Sequence, residues 1–143
     1  MTIKRKGSAV WQGGLKDGRG QVSTQSGALD GQPYGFRTRF EDKPGTNPEE
    51  LIAAAHAGCF TMALSMILGE SGLTAERLET SAQVSLDEVD EGFAVTAVKL
   101  TLEGKVPGAD AATFGKLAEK AKKECPISKL LNAQISLDAT LIG

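Results

Sequence analysis

The stretch from Asn47 to Leu68, NPEELIAAAHAGCFTMALSMIL, constrains this chain more than any other. Thr46 or Asn47 can cap a helix here, Pro48 suits its first position, and Glu49 and Glu50 favour the positive end of the helix dipole. Gly69 and Gly72 supply a stop, so the helix is expected to run to about Leu68. Leu51, Ile52, Ala55, Cys59, Met62, Ala63, Met66 and Ile67 form an apolar stripe, and Ala, Gly and Phe fill much of the remainder. A helix that is apolar on most sides is a central one, covered on more than one face. The other elements must therefore be arranged around it.

Those elements are mostly strands. Ile3 to Trp11 is extended, GGLKDGRG is a Gly-rich connection, and QVSTQSG is a second short strand. PYGFRTRF alternates, with Tyr34, Phe36, Thr38 and Phe40 on one side and Arg37 and Arg39 on the other, which reads as a third strand. After the long helix, strands are expected at about Glu79 to Val89 and Phe93 to Val106, joined through a hairpin-like DEG turn. A second helix should run from about Ala111 to Glu124 and end at Pro126, followed by a short helical turn near Leu130 and Leu131. QISLDATLI closes the chain as a strand. The expected fold class is α+β, in the order β-β-β-α-β-β-α-β, with a largely antiparallel sheet and two main helices. The 143 residues fit a single domain spanning 1–143.

Several function classes fall away. A net charge of −2 argues against a nucleic-acid partner, and Lys4-Arg5-Lys6 is too brief to change that. The most apolar run, Leu51 to Leu68, is interrupted by His56, Thr61 and Ser65, so a buried helix is expected rather than a membrane span. The opening MTIKRKGSAVWQGG has positive charge but no apolar segment of a secretory signal, and a cytoplasmic location is the default expectation. In that compartment Cys59 and Cys125, 66 positions apart, should be free, metal-bound or redox-active rather than a structural disulfide. With no C-x-x-C and a single His, no metal site is expected. Lys120, Lys122 and Lys123 share their turns with Glu119 and Glu124 and read as a solvated helix face.

The two thiols differ. Cys59 lies some three turns into its helix, beyond the reach of the dipole, and its apolar neighbours should raise its pKa. From this segment alone, packing is the stronger reading, and reactivity requires a cation from elsewhere in the fold, with Arg37 and Arg39 the best suppliers. Cys125 stands beside Pro126 at a helix end, where it is easier to expose and move. The two could meet between packed helices, and bridging needs Cα atoms within about 7 Å. His56, three positions before Cys59, could instead form a Cys–His nucleophile pair of a cysteine hydrolase, although a structural hydrogen bond is the commoner fate of a lone helix His.

PYGFRTRFEDKPGTNPEELIAAAHAGCF, followed after a long gap by CP, resembles the osmotically inducible protein C and organic hydroperoxide resistance (OsmC/Ohr) family over essentially the whole chain. GFRTRF and GTNPEEL are similar to its OsmC branch. The resemblance implies an OsmC-like fold in a tightly intertwined homodimer, with sites at the subunit interface and no metal or prosthetic group as cofactor. It also implies a thiol-dependent peroxidase acting on organic hydroperoxides, regenerated by an external dithiol such as a lipoylated protein. By that resemblance Cys59 is the peroxidatic cysteine, Cys125 the resolving cysteine, and Glu49 the acidic partner of an active-site arginine. Arg39 is the first choice for that arginine, ahead of Arg37 and of Arg19, which lies with Lys16 in the Gly-rich connection. Phe36, Phe40, Phe60, Met62 and Met66 would line an apolar substrate mouth, though for any one of them alone core packing is the stronger reading.

Elementary geometry adds one inference. Glu49 and Cys59 are ten residues apart, roughly 15 Å along a straight helix, so both cannot touch one small substrate from the same helix. Either the helix is broken, or Glu49 acts beside Cys59 of another chain. The rival function is a non-enzymatic stress-response binding dimer in which the two thiols merely pack.

Overall fold

Three short antiparallel strands open the chain in the computed structural model, which describes residues 1–143. They are β1 (Gly7–Gln12), β2 (Arg19–Thr24) and β3 (Gln32–Tyr34), with β2 in the middle. Their register aligns Trp11 and Tyr34 on either side of Gly20, and the two rings meet across it with centroids 5.6 Å apart. Gly20 permits that contact, because a Cβ there would lie 2.5 Å from the Tyr34 ring and 2.6 Å from the Trp11 ring. A glycine inside a strand marks such a close approach.

The segment after β3 departs from the alternating-strand expectation. Phe36–Phe40 is a single helical turn, α1. The Thr38 hydroxyl stabilises the turn at its start, accepting from the Gly35 amide at 2.9 Å and donating to the Gly35 carbonyl at 3.0 Å. Phe36 and Phe40 lie four apart, a spacing that both a strand and a helix place on one side, and their rings are 5.2 Å apart. Alternation therefore does not discriminate here, and the glycine–threonine hydrogen bonds decide for the helix. Arg37 and Glu41 form an i,i+4 ion pair at 3.4 Å on the exposed side.

Asn47 then starts the long helix α2 (Pro48–Glu70). Its side-chain oxygen accepts from the Glu50 amide at 2.8 Å, the bond expected of an N-cap, while its side-chain amide donates to the Thr38 carbonyl at 3.1 Å. One residue thus caps α2 and ties α1 to its first turn. The helix is unbroken over its 23 residues and, by length and composition, long and apolar enough to cross a membrane despite His56, Thr61 and Ser65.

The chain packs as two units, Met1–Leu51 and Ile52–Gly143. The second is built on a sheet ordered β4-β5-β6, from β4 (Arg77–Val89), β5 (Gly92–Lys105) and β6 (Gln134–Leu141). β4 and β5 are an antiparallel hairpin, whereas β6 joins β5 in parallel, so the sheets are largely antiparallel with one exception. Two helices intervene between β5 and β6, namely α3 (Ala111–Glu124), capped by Asp110, and α4 (Pro126–Leu130). Pro126 does more than end α3, since it occupies the first position of α4 and leaves Cys125 as the joint between the two helices.

The core of this unit is formed by Phe60, Leu64, Ile67 and Leu68 of α2, Val98, Leu100 and Leu102 of β5, and Phe114, Ala118 and Ala121 of α3. Phe114 closes directly over Gly104 of β5, where a Cβ would stand 2.5 Å from its ring. The buried stripe of α2 is therefore His56, Phe60, Leu64, Ile67 and Leu68, which shares only Ile67 with the stripe expected from the sequence, while Cys59 and Ala63 of that stripe pack partly buried against the core. Ala55, Met62 and Met66 are exposed, and Phe60, assigned above to a substrate mouth, is fully buried in the core. A helix apolar all round carries little phase information, and the bulkiest side chains, Phe60 and Leu64, claim the face against the sheet.

Gly20→Ala should destabilise the protein by about 1–3 kcal/mol by forcing the Trp11 and Tyr34 rings apart. Thermal unfolding checks this, and an unchanged midpoint would show that the two rings give way without loss.

Candidate active site

The C-terminal unit brings the two cysteines together. Cys59 is half-buried on α2, Cys125 is fully buried at the α3–α4 joint, and both are free thiols. The two side chains are within hydrogen-bonding reach of each other. The backbone amide of Ile127, in the first turn of α4 where amides have no partner within their own helix, also reaches the Cys59 sulfur. Burial pushes the Cys59 thiol above its ordinary pKa, the hydrogen bond with Cys125 adds to this, and the Ile127 amide opposes it without reversing the balance. A reactive thiolate needs a positive charge that none of these three influences supplies.

His56 lies one turn before Cys59 and is fully buried. Its Nε2 pairs with the Ser128 hydroxyl at 2.8 Å, and its Nδ1 has no partner. No Cys–His nucleophile pair is formed, which removes the geometric basis of the hydrolase alternative. Burial lowers the His56 pKa, so the ring is held neutral.

The N-terminal unit holds the arginine candidates. Arg39 of α1 forms a bidentate pair with Glu49 of the first turn of α2, Nε to Oε1 and Nη2 to Oε2, both at 3.0 Å. The Glu49 side chain is only 12% exposed and that of Arg39 37%. This geometry follows from the Asn47 bonds that bring α1 to the start of α2. Beside it, a cavity of about 160 Å³ is lined by Trp11, Leu15, Tyr34, Phe36, Arg39 and Phe40. The guanidinium also stands 5.2 Å from the centre of the Phe40 ring, within cation–π range. Arg37 pairs instead with Glu41 in solvent, and Arg19 is exposed on β2. Of the three arginines, Arg39 alone is held by Glu49.

Among the proposed mouth residues, the structure thus brings Phe36 and Phe40 to Arg39. It leaves Phe60 in the core and Met62 and Met66 exposed on α2. Trp11, Leu15 and Tyr34, which also line the cavity, were not among the site residues expected from the sequence. The signal for Trp11 and Tyr34 was Gly20, a glycine inside a strand, but only the register shows which rings meet over it. No group of three His, Cys, Asp or Glu side chains is placed to hold a metal ion.

Comparison with known proteins adds kinship to this geometry. The family described as OsmC-like protein matches residues 40–140, which include Glu49, His56, Cys59 and Cys125. The chain belongs to the OsmC family. It is 58% identical over 141 residues to the Peroxiredoxin OsmC of Escherichia coli, covering 99% of each chain, which places it on the OsmC branch. It is 32% identical over 124 residues to the organic hydroperoxide resistance protein OhrB of Bacillus subtilis, covering 85% of this chain and 88% of that one. The crystal structure of B. subtilis OhrB superposes with a TM-score of 0.69 at 26% identity, covering 94% of this chain and 98% of that one. The α+β architecture of two three-stranded sheets and four helices is that of the family.

Because the His56 pKa is lowered on folding, the unfolded chain binds its proton first as pH drops. Stability from this residue is complete above the unfolded value of about 6.5 and is lost as pH falls below it. Urea midpoints should decline below that pH more steeply in the wild type than in His56→Gln. Parallel pH profiles for the two proteins would remove His56 as the cause.

Proposed function

We propose that this protein is a thiol-dependent peroxidase that reduces organic hydroperoxides to alcohols, its two compact units working as one peroxidase domain. The observation that carries the proposal is the meeting of Cys59 and Cys125, free cysteines 66 positions apart, within hydrogen-bonding reach at the start of α4. The names of the relatives, peroxiredoxin and organic hydroperoxide resistance protein, support the same chemistry.

In this reading the Cys59 thiolate attacks the distal peroxide oxygen. An S–O bond forms, the O–O bond breaks, and the alkoxide leaves and takes up a proton to become the alcohol. Cys59 is left as a sulfenic acid. The Cys125 sulfur then attacks the Cys59 sulfur, the hydroxyl departs as water, and a disulfide remains. An external dithiol, for which a lipoylated protein is the candidate, returns both thiols in the cytoplasm.

Arg39 serves as the missing cation. Its Nε–H and one Nη2–H are engaged by Glu49, which leaves Nη1 and the second Nη2–H to stabilise the thiolate and the departing alkoxide. The aromatic cavity beside it suits an alkyl or aryl substituent better than hydrogen peroxide.

The assembly proposed is a homodimer. Since α2 is unbroken from Pro48 to Glu70, ten helical residues, about 15 Å, separate Glu49 from Cys59. The Arg39–Glu49 pair is therefore read as serving Cys59 of the second chain. Ala54, Ala55, Gly58, Met62 and Met66 are exposed on α2, and a second copy would cover this apolar face.

Consumption of cumene hydroperoxide and hydrogen peroxide with a dithiol reductant tests the reaction. Wild type should prefer the organic substrate, and Cys59→Ser should lose activity by several orders of magnitude. If wild type consumes neither, Cys59 is a packed thiol, as the burial that raises its pKa favours, and the family likeness is one of fold alone. The dimer assignment has its own test. Arg39→Ala and Cys59→Ser, each inactive alone, should regain activity when mixed by unfolding and refolding, since one chain supplies the arginine and the other the thiol. A mixture that stays inactive would confine the arginine to its own chain.

A further inference from the structure

We infer that His56 and Ser128 are a positioning pair that holds the start of α4, and with it Cys125, in register against Cys59, so that they act on disulfide formation and not on peroxide attack. This rests on the peroxidase reading above for its kinetic consequence, though not for the contact itself.

The argument starts from matched spacings. On α2, His56 and Cys59 are three positions apart, on neighbouring parts of one face with a rise of about 4.5 Å. Across the α3–α4 joint, Cys125 and Ser128 are also three positions apart, at the cap and third position of a helical turn. The two pairs are joined rung to rung. His56 Nε2 meets Ser128 Oγ at 2.8 Å, and Cys59 meets the Cys125 thiol and the Ile127 amide. Two rungs a turn apart restrain both the position and the rotation of α4, where one rung would leave the rotation free.

α4 needs such a tie. It is five residues long, none of its residues is fully buried, and Cys125 gives it no side-chain cap. A helix this short has little stability of its own, and segments with few buried contacts open locally. His56, by contrast, is fully buried on a core helix and makes a rigid anchor. Its second ring nitrogen has no partner. A buried acceptor left unpaired is better tolerated than a buried N–H, so the proton is assigned to Nε2, with Ser128 accepting. The side chain spends its one good hydrogen bond on the segment that carries Cys125. Disulfide formation is the step that feels this, because two cysteines join only within a narrow range of separation and orientation.

Ser128→Ala removes the acceptor with little change in volume, and Ser128→Thr keeps the hydroxyl. After one equivalent of cumene hydroperoxide, loss of the Cys59 thiol should proceed at the wild-type rate in Ser128→Ala. Formation of the Cys59–Cys125 disulfide should slow by about tenfold to a hundredfold, as expected for a misplacement near 1 Å, and Ser128→Thr should recover most of it. Excess peroxide should then carry more Cys59 to the sulfinic acid in the alanine variant, since the sulfenic acid waits longer. Equal slowing of both steps, or a lowered unfolding temperature with both rates intact, would overturn the assignment. The equilibrium of the cysteine pair with glutathione disulfide reads the same positioning without peroxide. There, Ser128→Ala should disfavour the intramolecular disulfide by about tenfold relative to the mixed disulfides. An unchanged equilibrium overturns the positioning pair whatever the peroxidase result. A shifted equilibrium in a protein that consumes no peroxide keeps the pair and removes the peroxidase.

Discussion

A helix that is apolar around its whole circumference is the constraint on which this fold depends. α2 buries Phe60, Leu64, Ile67 and Leu68 in the C-terminal core and still leaves Ala54, Ala55, Gly58, Met62 and Met66 exposed. The same helix carries Glu49 in its first turn, where its charge complements the helix dipole, and Cys59 in its middle, where the dipole no longer helps a thiolate. The core residues, the carboxylate that holds Arg39 and the half-buried Cys59 thiol are thus set by one element.

The chemical consequence is a division of labour between elements. The surroundings of Cys59 in its own unit hold the thiol protonated, and the only favourable influence on its thiolate is a single backbone amide. Arg39 is fixed by two hydrogen bonds to a mostly buried carboxylate and walled by aromatic rings. A protein-held guanidinium loses less entropy in a bidentate pair than a lysine would, so it is well suited to be a fixed charge awaiting an anion.

Much of this was legible in the residues, and the failures have specific causes. The cap residues, the long helix, the β4–β5 hairpin and α3 follow from local rules that depend on neighbours in the chain. GFRTRF misleads because Phe36 and Phe40 satisfy both periods, and the deciding bonds run between Thr38 and Gly35. The buried stripe of α2 misleads because apolar residues on every side erase the phase. Trp11 and Tyr34, 23 positions apart, join only through the strand register across Gly20. His56 could be foreseen as a bonded core histidine, but not that its partner would be Ser128, 72 positions away.

By itself the sequence determined most of the elements, though not α1, the absence of metal-ligand spacing, the two cysteines as the candidate redox atoms, and Glu49 as an acid at a helix start. These are consequences of short-range sterics, hydrogen bonding and composition, which a linear string records. Only the tertiary structure decided that Arg39, and not Arg37 or Arg19, is the arginine that Glu49 holds, that Phe60 belongs to the core, and that Cys125 reaches Cys59 at the start of a helix tied down by His56 and Ser128. Those outcomes depend on which distant surfaces pack together, and packing is a property of shapes in space that no local pattern specifies.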